Sequence, residues 1–127
     1  MERNSEDKIL AGISHLGIVT GWVGLVIALV IYLIRKDQSS FVKRCAKQAM
    51  GYQICTLVIM QVLILIFGGS VVLGIISSKL VTMSTLGFLF VKTVNLGLCA
   101  LGIWGAIKTF LGEYFRYPVI GGFIDQL

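Results

Sequence analysis

The sequence predicts an all-α integral membrane bundle of three transmembrane helices, with an amphipathic interfacial helix between the first and the second. The composition points to this class, since hydrophobic residues make up 57% of the chain and charged residues only 13%. The apolar residues also occur in long runs, and residues 16–34 and 54–76 contain no charged side chain. About 20 apolar residues in a helix cross a hydrocarbon core of roughly 30 Å. One small bundle accounts for the whole chain, so residues 1–127 are expected to form a single membrane domain.

Each span follows from its local pattern. The three spans are expected at about residues 13–34, 54–76 and 86–107, and a short stretch rich in Ser and Thr joins the last two. The first apolar run ends at a pair of basic residues instead of a small-residue cleavage site, which indicates a span and not a signal peptide. Three cysteines do not indicate a disulfide framework.

An amphipathic segment at about residues 40–53 separates the first two spans. On a helical wheel its apolar side chains fall in one arc, and its basic and polar side chains lie opposite. A basic face of this kind suits the anionic headgroups of membrane lipids. The side chains expected to face the headgroups are Lys43, Arg44, Lys47 and, from the C-terminal tail, Arg116. Because the apolar arc consists mostly of small residues, it favours docking on the protein's own bundle over insertion into lipid.

The C-terminal tail, about residues 112–127, is the second predicted interfacial element. Its aromatic side chains are of the kind that gathers at the membrane–water interface. Glu113 and Arg116 have the spacing of an ion pair across one helical turn. The apolar end of the tail is expected to fold back onto the membrane surface. Because both interfacial elements are predicted to lie on the cytoplasmic face, they are placed to contact each other, with Glu113 or Asp125 near the basic face of segment 40–53.

The distribution of Lys and Arg predicts the orientation in the membrane, because cytoplasmic loops carry the excess of basic residues. One side holds seven of them: Arg35, Lys36, Lys43, Arg44, Lys47, Lys108 and Arg116. The other side holds three: Arg3, Lys8 and Lys79. The sequence therefore predicts a multi-pass protein with its N-terminus outside and its C-terminus in the cytoplasm.

Small residues at helical spacing mark contacts between helices in lipid. In the first span they are expected to form one continuous stripe on a single helix face: Gly17, Gly21, Gly24 and Ala28. The third span carries a similar set: Cys99, Gly102 and Ala106. These faces serve either packing within the chain's own bundle or the binding of a second copy or a partner's helix. The sequence does not separate the two interpretations.

Polar side chains within the spans are functional candidates, because they are unfavourable in lipid. Gln61, Lys92 and Asn95 form a possible polar seam, although Lys92 is also placed to reach the headgroups. The chain has one histidine and no zinc-protease motif, so we expect no catalytic residue, no metal ligand and no cofactor. The net charge of +5 follows from the loop asymmetry and does not indicate nucleic-acid binding.

Three stretches carry a family resemblance: "SHLG" at the start of the first span, "IYLIRKDQSSFVKRCAKQAMGYQI" and "AIKTFLGEYFRYPV". In order and spacing they resemble the bacterial Tic-twenty-like family of small membrane proteins, a domain of unknown function related to a chloroplast protein-import component. The resemblance runs from His15 to about Val119. It implies a helical protein of the bacterial inner membrane with a part in membrane-protein complexes, and it supplies no catalytic residues.

The sequence thus predicts a non-enzymatic accessory or scaffold subunit of a membrane protein complex. Its expected partners are membrane lipids, including anionic headgroups, and either another membrane protein or further copies of itself. The alternative is a homo-oligomeric channel or translocation component lined by the polar seam. A lipid-responsive surface sensor is a third interpretation.

Overall fold

A computed structural model describes the backbone of residues 4–76 and 78–127 and the side-chain surroundings of residues 4–68 and 85–127. This part of the chain is helical and contains no strand, which confirms the all-α expectation. The elements are α1 (Ser5–Leu16), a 3-10 turn (Gly17–Thr20), α2 (Trp22–Arg35), α3 (Ser40–Ile76), α4 (Ser78–Phe110) and α5 (Gly121–Gln126).

The chain divides into two compact units. The first unit comprises Met1–Cys55 and Cys99–Leu127, and the second comprises Thr56–Leu98. The candidate site lies within the first unit. The single membrane domain over residues 1–127 stays a prediction.

The number of membrane spans differs from the prediction. Two stretches of the described helices are long and apolar enough to cross a membrane, Ser40–Gly68 and Thr85–Phe110. Each contains an 18-residue window of high mean hydropathy, 2.1 in the first and 1.8 in the second. The first apolar run is not one of them, because the chain breaks there into α1, the 3-10 turn and α2. At about 1.5 Å per residue, the 14 residues of α2 extend roughly 21 Å, which is less than a hydrocarbon core. Three transmembrane helices are therefore not confirmed.

Gly21 makes the break in the first apolar run. Its φ of 65° and ψ of −121° belong to a region of backbone conformation that is open to glycine and strained for other residues. The apolar pattern on either side is continuous, so no local feature of the sequence indicates that the helix ends there. The expected helix over residues 13–34, with one stripe of small residues on one face, is wrong for this reason.

Specific contacts hold α1 against α2 at both ends of the hairpin that they form. Near the turn, Gly17 and Gly24 pack backbone to backbone, and a Cβ built on Gly17 would lie 2.8 Å from the carbonyl oxygen of Gly24. At the open end, Arg35 forms ion pairs with Glu6 and Asp7. The start of α1 and the end of α2 therefore lie together.

Segment 40–53 is the first part of α3 and not a separate helix. The chain remains helical through Gly51 and into the apolar run, since no proline interrupts it. The predicted apolar arc is confirmed, because its side chains are buried: Phe41, Val42, Cys45, Ala46, Ala49 and Tyr52. Gln48, expected on the opposite polar side, is buried as well. Ala11 of α1 and Ile31 of α2 belong to the same core cluster. The predicted docking of this face on the protein itself is thus correct.

Candidate anion-binding site at the C-terminal tail

The C-terminal tail begins where Gly112 ends α4. Gly112 has a φ of 86°, and the N–H of Glu113 donates to the carbonyl of Lys108 at 3.1 Å, which is the pattern of a glycine-terminated helix. Lys108 also forms an ion pair with Glu113 at 3.0 Å. The predicted pair between Glu113 and Arg116 does not form, because both residues take other partners. The tail then returns along the first part of α3.

Aromatic stacking holds the middle of the tail. The ring of Tyr117 lies parallel to that of Tyr52, with centroids 3.8 Å apart, and Phe115 packs edge-on against Tyr117. The hydroxyl of Tyr117 lies 2.8 Å from Nδ1 of His15, and both side chains are buried. Burial raises the pKa of the Tyr117 hydroxyl, since the phenolate would be poorly solvated there.

Gln48 and Gly51 of α3 receive the end of the tail. Nε2 of Gln48 donates to the carbonyl of Gly121 at 2.8 Å and to Oδ1 of Asp125 at 2.7 Å. Ile124 lies directly against Gly51, where a larger residue would meet its side chain. The expected contact between the two predicted interfacial elements is confirmed. That the tail folds onto the membrane surface stays a prediction.

Asp125 connects the tail to the basic face of α3. It accepts a hydrogen bond from the hydroxyl of Tyr114 at 2.7 Å and forms an ion pair with Nε of Arg116 at 3.2 Å. The hydrogen bond from Tyr114 lowers the pKa of Asp125, and the positive charges of Arg116 and Lys47 lower it further against the effect of burial. Burial, together with the hydrogen bond to Asp125, raises the pKa of Tyr114 to about 12.

A cavity of about 510 Å³ lies between the first turns of α3 and the tail. Its lining combines three predicted headgroup-facing residues with two residues of the tail and a serine: Lys43, Arg44, Lys47, Tyr114, Asp125 and Ser40. The prediction that Asp125 lies near the basic face is confirmed. Arg116 is half-exposed and paired with Asp125. Nothing in the sequence indicated a cavity, since it forms only when the tail closes over α3.

The small residues of the two predicted stripes lie mostly inside the first unit. Gly24 and Ala28 are buried in the hairpin, and Gly21 occupies the turn. Gly102 lies directly against Ile18, and Ala106 is fully buried. Cys99 is half-buried. These contacts favour packing within the chain, which was one of the two interpretations.

The residues of the possible polar seam belong to the second unit. Gln61 and Lys92 are exposed, and Asn95 is half-buried. The ammonium group of Lys92 lies 5.6 Å from the centroid of the Phe88 ring, which is within the range of a cation–π contact. The seam itself stays a prediction.

Fold and site together define a helical membrane protein with a basic cavity formed by its C-terminal tail. A family model matches residues 6–124, nearly the whole chain, and the chain belongs to the MamF/MmsF family, described as the magnetosome magnetite crystal formation protein family. The resemblance to the Tic-twenty-like family is therefore wrong. Neither the curated proteins nor the solved structures give a match.

The family match corrects the expected cellular location as well as the expected family. It is a family of small magnetosome membrane proteins involved in magnetite crystal formation. The prediction that this is a membrane protein is therefore confirmed. The three stretches that suggested another family are patterns of apolar spans with basic and aromatic flanks, which unrelated membrane proteins share.

Proposed function

We propose that this protein is a non-enzymatic accessory or scaffold subunit of a membrane protein complex that governs magnetite crystal growth in the magnetosome. The family match over residues 6–124 carries this proposal. The two long apolar stretches, Ser40–Gly68 and Thr85–Phe110, support an integral membrane position. In this role the protein acts by holding other components in place.

The pairing of four of the chain's carboxylates supports a role through assembly over a role in gathering iron. Glu6 and Asp7 both pair with Arg35, which balances one of their two negative charges. Glu113 pairs with Lys108, and Asp125 pairs with Arg116. Hard iron cations would have to compete with these internal ion pairs for the same carboxylate oxygens.

The exposed face of α2 is the best-supported surface for a partner. Because Gly17, Gly24 and Ala28 are buried within the hairpin, they are not open to another helix. The opposite face of α2 presents large apolar side chains, including Trp22, Val26 and Leu33, each more than half exposed. Lipid or the helix of another membrane protein covers such a face in the membrane.

The hairpin also supports a different orientation of the N-terminus. Since the start of α1 and the end of α2 lie together, the first apolar run enters and leaves on one side of the membrane. That side then carries eight basic residues of the described part of the chain: Lys8, Arg35, Lys36, Lys43, Arg44, Lys47, Lys108 and Arg116. Two further basic residues lie elsewhere in the sequence: Lys79 between the two candidate spans and Lys92 within the second span. This asymmetry supports placing both termini in the cytoplasm.

Labelling of single cysteines tests this orientation. In a chain whose Cys45, Cys55 and Cys99 are replaced by alanine, Asn4→Cys and Gln126→Cys are expected to react with a membrane-impermeant maleimide from the same side. Lys79→Cys, the control, is expected to react from the opposite side. Labelling of Asn4→Cys together with Lys79→Cys would contradict the proposal and restore a three-span topology.

Gene deletion in a magnetite-forming bacterium tests the scaffold role. We expect smaller or misshapen crystals by electron microscopy, restored by the intact chain, and co-purification of the protein with other magnetosome membrane proteins after mild detergent extraction. Trp22→Ala combined with Val26→Ala is expected to reduce this co-purification. Unchanged crystals in the deletion strain would refute the proposed function.

Exposed polar side chains on the spans favour a second candidate, a homo-oligomeric channel. Gln61 and Lys92 are exposed on otherwise apolar helices, where lipid contact is unfavourable. Contact with further copies would shield them. A symmetric oligomer of the purified protein that conducts ions in liposomes would favour the channel, and a heteromeric complex without conductance would favour the scaffold.

A further inference from the structure

The cavity beneath the tail has an excess of positive charge. Lys43 and Arg44 are exposed, and Lys47 is partly buried. Asp125 is the one carboxylate in the lining, and it is paired with Arg116. The three cations of α3 therefore face a space whose only negative charge is already balanced.

The position of these cations in α3 is unfavourable for the helix itself. The N-terminal end of a helix carries a partial positive charge, which acidic residues commonly offset. The first turn of α3 has no acidic residue, and Lys43 and Arg44 follow directly after it. An anion in the cavity would relieve this repulsion and satisfy all three basic side chains. Local conflicts of this kind are typical of functional sites.

The tail that closes the cavity also presents apolar side chains outward. Val119 is fully exposed, and Phe123 and Leu127 are each more than half exposed. Val119 has a φ of 73°, which is unusual for a β-branched residue. A strained, fully exposed apolar residue on the tail that closes the basic cavity fits a segment that enters the lipid interface. The two features together match an amphiphile better than a free ion.

We propose that this cavity binds the phosphate of an anionic phospholipid headgroup. The proposal rests on the proposed membrane function, and it names the lipid class that the basic face recognises. Lys43, Arg44 and Lys47 neutralise the phosphate, and the hydroxyl of Ser40 donates a hydrogen bond to it. The volume of about 510 Å³ is in the range of small-molecule sites and accommodates a phosphoglycerol group.

Lipid retention by the purified full-length chain tests this site. The protein is incubated in detergent with equal amounts of phosphatidylglycerol and phosphatidylcholine, and the lipid bound after gel filtration is counted by mass spectrometry. We expect phosphatidylglycerol to be preferred, and Lys43→Gln and Lys47→Gln each to reduce that preference about fivefold. Lys36→Gln removes an equal charge outside the cavity and is expected to leave the preference unchanged.

A second substitution separates loss of the site from loss of the fold. Asp125→Asn keeps the size and the hydrogen-bond acceptor for Tyr114 but removes the negative charge, so we expect phosphatidylglycerol to bind about twofold more tightly. A chain that is merely destabilised would bind less. Equal losses in Lys43→Gln and Lys36→Gln would overturn the site, because they would show a general effect of charge.

Competition with inorganic phosphate shows whether the cavity binds a phospholipid headgroup or free phosphate. We expect millimolar phosphate to leave the bound phosphatidylglycerol in place, since the apolar part of the lipid adds to its affinity. Full displacement by phosphate, with saturable phosphate binding that Lys43→Gln removes, would show a free-phosphate site and overturn the lipid assignment. These measurements use purified protein, so an unaltered crystal phenotype would refute the proposed function without altering this result.

Discussion

Nδ1 of His15 and the hydroxyl of Tyr117 lie 2.8 Å apart, although 102 positions separate them in the sequence. This hydrogen bond joins the end of α1 to the middle of the C-terminal tail. Both side chains are buried, and Phe115 packs edge-on against both rings. The N-terminal hairpin and the tail therefore depend on each other for stability.

Removal of the Tyr117 hydroxyl is expected to destabilise the first unit. In Tyr117→Phe the ring remains, but Nδ1 of His15 loses its partner in a buried position. We expect a loss of about 1–3 kcal/mol in the free energy of unfolding, measured by thermal melting in detergent. Tyr32→Phe, at a partly buried ring packed against the core, is the matched control and is expected to change stability little. Equal effects of the two substitutions would contradict the importance of the His15 contact.

Substitution of Gly24 is expected to open the hairpin. A side chain at Gly24 would overlap the backbone of Gly17, which cannot move aside without separating α1 from α2. We expect Gly24→Val to cost about 1–3 kcal/mol in the free energy of unfolding. Gly97, where an added Cβ would meet no other part of the protein within 4 Å, provides the control: Gly97→Ala is expected to be neutral or to stabilise by up to about 1 kcal/mol. A stable Gly24→Val protein would refute the close packing of the turn.

A larger residue at Gly51 is expected to release the tail. Gly51 leaves the space that Ile124 fills, so Gly51→Val forces the end of the tail away from α3. The measurement is the rate of trypsin cleavage after Arg116. We expect this rate to rise several-fold, because a tail that is no longer packed on α3 can enter the active site of the protease. Gly97→Val serves as the control, and cleavage at an unchanged rate in Gly51→Val would show that Ile124 does not hold the tail.

The ionisation of Tyr114 predicts how tail docking depends on pH. Because its pKa is raised from 10 to about 12 in the folded protein, its contribution to stability is complete below pH 10 and is lost as the pH rises towards 12. Tyrosine ¹³C NMR measures this pKa directly. Asp125→Asn removes a neighbouring negative charge and is expected to lower the pKa of Tyr114. An unchanged value in that variant would exclude Asp125 as a cause.

The first part of α3 could be predicted from the sequence because its pattern is local. Phe41, Val42 and Cys45 share one face at helical spacing, and this face is buried as expected. The proximity of Asp125 to the basic face also follows from the distribution of Lys and Arg, which places both elements on one face of the membrane. The partner of Arg116 was missed, since ion-pair spacing along a helix applies only where the chain is helical, and the tail around Arg116 is not.

The sequence by itself determined that the protein is helical, that it belongs in a membrane and which face of α3 is buried. These properties depend on apolar content and on a 3.6-residue period, which neighbouring residues fix. Only the tertiary structure decided that the first apolar run folds into a hairpin at Gly21, and that the tail joins His15 and forms the basic cavity. Such features arise from contacts between distant residues, whose geometry no local pattern encodes.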